Sequence, residues 1–501
     1  MTQETTATAQ EDTAAAVAAR SRPRSLASLR DWLRSALFRP TANGPLGWRK
    51  VLAGTAFIVV GAAISLARTR GAGALNTIWI EDANPFLNSA LHDSVRSTVT
   101  TPLNGYYNIM PRALTAVAVL FPLSMVPAVM SIFAAMQYAL FGLIAYIASG
   151  PHLGRPWLRL IVAAPACMIP LGYTQVNNDL ATAQFIALYG TFWLLLWIPG
   201  TRAGRILSPV IILSVTLSSI LPIAFAPLAL ARLLVDRSKN AWFLVGCYAL
   251  GLAAQLSLGL RGLSNRPSNW YTSPWWVLRN YVTKAVPRAI FGEKALGGPG
   301  TNAAGMPVAL DIANKAEHLA LIVLAWLVVL AVIGLALARV TEPRWPLAVV
   351  AGFFSVAVFL TEIVDNLSIV QPRYVIAPAL LLYTAIVALL RPCGAIREAT
   401  AESAADVAGQ PGRAGSSGIS KALPRGAGRP ALLWSPVAVF ACLLAIACVL
   451  NFRVTNGRSE SPAWTSVVAA AKKTCEKPGV TGYFYGHAWW WVNIPCGRVG
   501  D

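Results

Sequence analysis

The sequence predicts an all-α polytopic membrane protein of about eleven transmembrane helices carrying a small extracytoplasmic αβ tail, and three observations predict it. Of 501 residues, 56% are hydrophobic and only 12% are charged, with a mean hydropathy of +0.56. Apolar stretches of about 18–22 residues recur along the chain, each able to cross a ~30 Å hydrocarbon core as a helix. The basic residues behind the net charge of +20 gather in loops that fall on one side. That charge is therefore topogenic. It calls for membrane lipids as neighbours and for no nucleic acid.

Residues 1–49 turn basic ("RSRPRSLASLRDWLRSALFRP") and read as a disordered cytoplasmic tail leading into a helix on the anionic inner leaflet. They are too hydrophilic for a cleavable signal peptide, so the first span is itself the insertion signal. Spans are expected near 50–67, 127–149, 158–173, 180–199, 206–220, 221–235, 241–260, 318–338, 346–361, 374–391 and 431–452. Residues 50–393 thus form a transmembrane core with outer loops 68–126, 261–317 and 362–373. Tyr107–Pro122 is apolar but short and bounded by prolines, and counting it as a span would invert everything downstream. Leaving it non-spanning puts Arg155/Arg159, Arg202/Arg205, Arg232/Arg237/Lys239, Arg339/Arg344 and the basic stretch 391–430 on the N-terminal side. The N-terminus is then cytoplasmic, the Gly/Ala/Ser-rich insert 394–430 is a disordered cytoplasmic linker, and the tail 453–501 lies outside the plasma membrane. Segment 206–235 reads either as a hairpin or as one kinked span.

Chemistry-bearing residues collect on the outer side. "IWIEDANPF" places Glu81 and Asp82 just beyond the first span, where a carboxylate is costly unless paired or used. The plain alternative is a solvated cap for a short helix near Asn84. "GYYNIMPR" supplies Tyr106, Tyr107, Asn108 and Arg112, and "GYTQVNNDLATAQF" supplies Gln175, Asn177, Asn178, Asp179 and Gln184. Aromatic belts and helix caps are the bland reading of both. Residues 261–294 carry Arg261, Arg266, Arg279, Lys284, Arg288 and Lys294 against one acid, Glu293, with Trp270, Tyr271, Trp275 and Trp276 between them. A basic outer loop runs against the positive-inside bias, so it serves either to anchor on anionic lipid or to clamp a phosphate. "QPRY" adds Arg373 and Tyr374 at the start of a late span. In the tail, a helix over 462–474 and two strands turning at Gly486–His487 would bring Cys475 and Cys496 within reach of a disulfide in an oxidising space. Cys167, Cys247, Cys442 and Cys448 lie in spans and Cys393 at a span end, and no spacing suggests zinc.

The run "EDANPFLNSA…GYYNIMPRALTAVAVLFP", then "GYTQVNNDLATAQF", "QPRY" and the Trp- and Cys-bearing tail resemble a group of actinobacterial membrane proteins similar to the GT-C superfamily of glycosyltransferases. The resemblance spans roughly 50–501 without the 394–430 insert. It implies a polyprenyl-phosphate-linked sugar donor, a cell-envelope glycan or other acceptor, and transfer on the outer face. It implies that an acid of the first outer loop, Asp82 or Glu81, is the base or binds the acceptor. The order here is Glu-Asp where many members have Asp-Glu, so the base stays open, with Asp82 the leading candidate. Arg279, Arg288, Arg373 and Arg112 become candidate ligands of the donor phosphate. Tyr106, Asn108, Asn177, Asn178, Asp179 and Tyr374 become candidate substrate-lining residues. Some members use a divalent metal ion, which these residues neither require nor exclude. A transporter or flippase of lipid-linked glycans would place its polar groups mid-span. An O-antigen-ligase-like enzyme would favour one large outer loop bearing arginine and histidine.

Overall fold

The structure, a computed structural model, describes residues 26–41, 47–103, 105–171, 178–261, 273–296, 316–365, 370–393, 435–453, 457–487 and 490–500. The described residues are 73% helical, with one two-stranded sheet among them. Among the described residues, six helices are long and apolar enough to cross a membrane: Trp48–Leu66, Leu123–Ala148, Lys239–Leu260, His318–Leu337, Trp345–Val364 and Pro372–Leu389. Five shorter apolar helices, of 10–17 residues, accompany them.

Helix α1 (Leu26–Ala36) precedes the long α2 (Trp48–Leu66). A wide helical turn over Asp82–Leu87 runs into α3 (Asn88–His92), and Ser94 caps α4 (Val95–Thr100) through the Ser97 amide. The proline-bounded segment forms α5 (Ile109–Ala118), whose ten residues reach about 15 Å, half of a hydrocarbon core. Then follow α6 (Val126–Ala148), α7 (Pro156–Ala163) and α8 (Ala183–Leu196). Segment 206–235 is broken into two helices, α9 (Arg202–Thr216) and α10 (Ala226–Val235), where Leu221–Pro222 opens a new turn after Ser218 and Ser219. Helix α11 (Lys239–Leu260) completes the first half.

The next stretch departs from expectation. Residues 261–317 read as an outer loop; of the part described, 274–291 is nearly continuously helical, as α12 (Pro274–Asn280), a wide turn and α13 (Val286–Phe291). Val277, Tyr281, Ala285, Val286, Ala289 and Ile290 join the main core. Tyr281 shares its hydroxyl proton with Ser355 at 2.7 Å, and Tyr383 donates to the Ala289 carbonyl at 2.6 Å. Three cations on this stretch, Arg279, Lys284 and Arg288, hid its apolar face from a hydropathy reading. It packs on α14 (Ala316–Leu337), α15 (Trp345–Asp365), α16 (Ile376–Leu389) and α17 (Pro436–Leu450). Helix α16 is the axis of the bundle, nearly every side chain buried. By contrast α2 and α14 expose leucine and valine flanks (Val59, Val60, Leu319, Leu327), the expected surface of a helix facing lipid.

The tail forms α18 (Trp464–Cys475) and the antiparallel strands β1 (Gly482–Gly486) and β2 (Trp491–Pro495), Tyr483 opposite Ile494 and Tyr485 opposite Val492. Cys475 and Cys496 are joined by a disulfide, their Cα atoms 5.4 Å apart. This unit does not stand alone. Trp464, Val467, Trp490, Val492 and Ile494 share a second core with Ile78, Trp79, Ala83 and Leu87 of the first loop and with Leu123 and Val126. Trp464 donates its indole N–H to the Leu123 carbonyl at 2.8 Å, Asn76 bonds Thr465, and Asn88 accepts the Asn493 amide at 3.0 Å. Loop and tail together make a cap on one end of the bundle.

Candidate functional site

Two ends can be told apart by their bonds. At the cap end, Met110 N–H reaches Ser218 and Tyr107 N–H reaches Gln255. At the other end, the segment after α1 pairs with Ile198, and Arg344 N–H bonds the Ala388 carbonyl. The candidate acids Glu81, Asp82 and Asp179 lie at the cap end.

Asp82 opens the wide turn and is 3% exposed. Its two oxygens accept the backbone N–H groups of Leu180 (2.9 Å) and Ala181 (3.1 Å). The Ala181 N–H also bonds Asp179 Oδ1 at 3.2 Å, so the two carboxyl groups share one amide. Asp179 is wholly buried and its Oδ2 has no hydrogen-bond partner. The loop holds this shape because Asn178 adopts φ +60°, a conformation asparagine tolerates, and grips the end of α2. Its side chain accepts from Ser65 Oγ at 2.8 Å and donates to the Ser65 carbonyl at 2.9 Å. Just before the acids, Ile80 carries φ +26°, a backbone that a β-branched side chain avoids, so the surrounding core must impose it.

Behind the acids stands Arg458, from the tail. Its guanidinium donates to the carbonyls of Asn178 (2.7 Å), Thr77 (3.0 Å) and Ala74 (3.3 Å) and to the hydroxyls of Ser131 (2.8 Å) and Thr77 (3.1 Å). It supplies the positive field for both aspartates. Burial pushes both carboxyl groups up; Asp82 is pulled back by its interaction with Asp179, its two amide bonds and Arg458. Asp179 ends well above the usual carboxylate range, first through burial and then through the charges of Asp82 and Glu81 beside it. The two carboxyl groups therefore titrate as a coupled pair, with Asp179 the more strongly raised of the two.

Glu81 is half-buried, and its Oε2 has no hydrogen-bond partner. Arg373 lies within electrostatic reach of Glu81 and Asp179, donates to Tyr374 Oη at 3.2 Å and sits 5.2 Å from that ring. Tyr374 in turn packs on Phe185, ring centroids 5.7 Å apart. So Glu81, Asp82, Asp179, Arg373 and Tyr374, far apart in sequence, meet at one place. Asn108 (φ +51°) shapes the turn before α5 by donating to the Leu103 and Tyr106 carbonyls, and Tyr106 is buried beside it. With Gln137, Leu180 and Gln184, Asn108 lines a narrow cleft next to the acids.

The other candidates are placed differently. Arg112 is 1% exposed, donates to the Thr98 carbonyl at 2.9 Å and lies 5.1 Å from the Phe86 ring, so its guanidinium is committed to the fold of the first loop. Arg288 is buried on α13 within the bundle, and Arg279 is exposed on α12. Asn177 and Gln175 lie outside the described residues. Arg458 was not among the sequence candidates: a lone arginine in "TNGRSES" gives no local signal of its partners.

The residues do not form a first coordination shell for a metal ion. Both Asp82 oxygens already accept amides, Arg458 sits beside the pair, and among the described residues no three His, Cys, Asp or Glu side chains converge in a metal-binding group. The fold and this cluster define a helical protein of the membrane-spanning type with a polar acid–arginine site at one capped end. No family model, curated protein or solved structure matches the chain.

Proposed function

We propose that the protein is a glycosyltransferase of the GT-C kind, moving a sugar from a polyprenyl-phosphate donor to a cell-envelope acceptor on the outer face of the plasma membrane. The observation that supports it is the meeting of Glu81, Asp82 and Asp179 with Arg373 at one end of a bundle of apolar helices. Transfer from a lipid phosphate needs a base for the acceptor hydroxyl and a cation for the departing phosphate. Glu81 takes the base role in place of Asp82: it is the more open acid and its buried Oε2 accepts no hydrogen bond, whereas both Asp82 oxygens are bound by amides. Glu81 removes the hydroxyl proton as the acceptor oxygen attacks the anomeric carbon. The bond from that carbon to the phosphate oxygen breaks, and the phosphate leaves with the electron pair beside Arg373. Asp82 and Asp179 hold the turn and tune its field.

The proposal carries eleven spans. The six long helices, four of the shorter ones (Pro156–Met168, Ala183–Leu196, Leu221–Val235 and Pro436–Leu450) and α9 supply that number. It also carries a cytoplasmic N-terminus and an extracytoplasmic tail. An impermeant thiol reagent on intact cells should label an Asp93→Cys protein at the exposed cap and leave the exposed Cys393 unlabelled until the cells are permeabilised. Labelling of Cys393 in intact cells reverses the orientation. For the activity, envelope glycans of a deletion strain should lack a sugar that the wild-type gene restores and a Glu81→Gln gene does not. Full restoration by Glu81→Gln removes the catalytic role.

A further inference from the structure

The end of the bundle opposite the acids brings cations together with a shortage of acceptors. Arg39 follows α1 on a segment pinned by Thr41, whose N–H and hydroxyl both bond the Ile198 carbonyl at 3.0 Å. His152 sits in the turn between α6 and α7 and is 1% exposed. Arg344 precedes α15 and Arg391 follows α16, and their two segments are laced: Glu342 N–H to the Arg391 carbonyl at 2.9 Å, Arg344 N–H to the Ala388 carbonyl at 2.8 Å, and Arg391 Nε to the Glu342 carbonyl at 2.9 Å. Arg391 also pairs with the Glu342 carboxylate at 3.5 Å. Among the described residues, then, only Arg391 of the three guanidinium groups has a carboxylate partner. They are close enough to act on one another: besides burial, Arg344 and Arg39 hold the His152 imidazole down at about 3, and Arg39 and Arg391 help to lower Arg344 to about 10.

Within this cluster Arg344 Nε, Arg344 Nη2 and His152 Nδ1 are buried with no hydrogen-bond partner. Buried unpaired donors on a charged group are costly, and more so beside like charges. An anion with several oxygens would answer both deficits, since a guanidinium edge fits two phosphate oxygens. Arg39 and Arg344 are only half-buried, so the place is open from outside.

We propose that Arg39, Arg344, Arg391 and His152 form a phosphate-group site at the N-terminal end of the bundle, separate from the acid cluster and independent of what that cluster does. The shared chemistry is a phosphate anion, carried by an anionic lipid headgroup or free in solution. The test uses the full-length protein in nanodiscs of phosphatidylcholine alone, of phosphatidylcholine with phosphatidylglycerol, or of phosphatidylcholine with millimolar inorganic phosphate. Phosphatidylglycerol should raise the melting temperature and stay bound in native mass spectra if the headgroup is the source; inorganic phosphate should do so if a soluble anion is. Arg344→Gln should weaken the effective anion about tenfold, the scale for one charged hydrogen-bonding group. Arg39→Gln, a change on a half-buried side chain, should weaken it in the same direction should Arg344→Gln fold poorly. Arg205→Gln, an exposed arginine at the same end, should change nothing. The site is overturned if neither anion stabilises the protein, if Arg344→Gln and Arg39→Gln bind as tightly as the wild type, or if Arg205→Gln loses as much.

Discussion

The bundle and the cap are held by different physics. In the bundle, apolar side chains fill the space around α16, and glycines let helices close in: a Cβ on Gly190 would strike the Phe141 ring. In the cap, a small apolar core is assembled from residues 78–87, 123–134, 180 and 464–494, and directional bonds set its shape. One buried guanidinium, Arg458, ties the carbonyls of Ala74, Thr77 and Asn178 together, and Gly71 (φ +68°) lies so close to the Ser459 carbonyl that no side chain fits. Apolar packing tolerates repacking; a web of hydrogen bonds to backbone does not. The acids stand in the second kind of region, which suits a site that must fix a carboxylate in place.

That contrast is broken or sharpened first at Arg458. Arg458→Met should cost about 3–5 kcal/mol, because it orphans three carbonyls and leaves two buried acids without their cation. Thermal unfolding and limited proteolysis should show the tail released while the bundle stays helical. An unchanged melt would mean that the cap is held by its apolar core alone.

The disulfide comes next. It closes a separation of 21 residues, worth roughly 3 kcal/mol to the tail in the chain-entropy model. The Cys475→Ser, Cys496→Ser double variant should lose cap stability by that order, read as earlier proteolysis after Cys475 or before β1. Mass spectrometry finding both thiols free in the wild type would remove the bond and the oxidising location together.

The smallest effect concerns the aspartate pair. Asp179 has its pKa raised in the folded state, so its contribution is present below the unfolded value and is lost as pH rises through the folded one. Stability should fall as pH rises through that range. Asp179→Asn, a neutral isostere whose carbonyl can still accept the Ala181 amide, should flatten the slope and leave the melt at pH 7 within about 1 kcal/mol of wild type. A strong loss at pH 7 would place the charge on Asp179.

The long apolar helices were legible because hydropathy over 18–22 residues is a local signal. Helix α12–α13 escaped because Arg279, Lys284 and Arg288 mask a face whose Val277, Tyr281 and Ala285 are core. At the site, Glu81, Asp82, Asp179 and Arg373 stood out as charges beside spans, a rare placement. Which acid stays free was not legible, since it depends on the amides of Leu180 and Ala181, about 100 residues downstream. Arg458 was invisible for the same reason: its partners lie 280 to 384 residues away.

The most direct measurement compares Glu81→Gln with Asp82→Asn in purified protein, reading both sugar transfer from a polyprenyl-phosphate donor and thermal unfolding. Glu81→Gln should lower the transfer rate by ~100-fold or more with an unchanged melt. Asp82→Asn turns an N–H donor towards the amides of Leu180 and Ala181, so it should destabilise the protein by about 1–3 kcal/mol. Wild-type transfer by Glu81→Gln, or a rate lost in Asp82→Asn with no loss of stability, would contradict the assignment of Glu81 as base and Asp82 as the group that positions it.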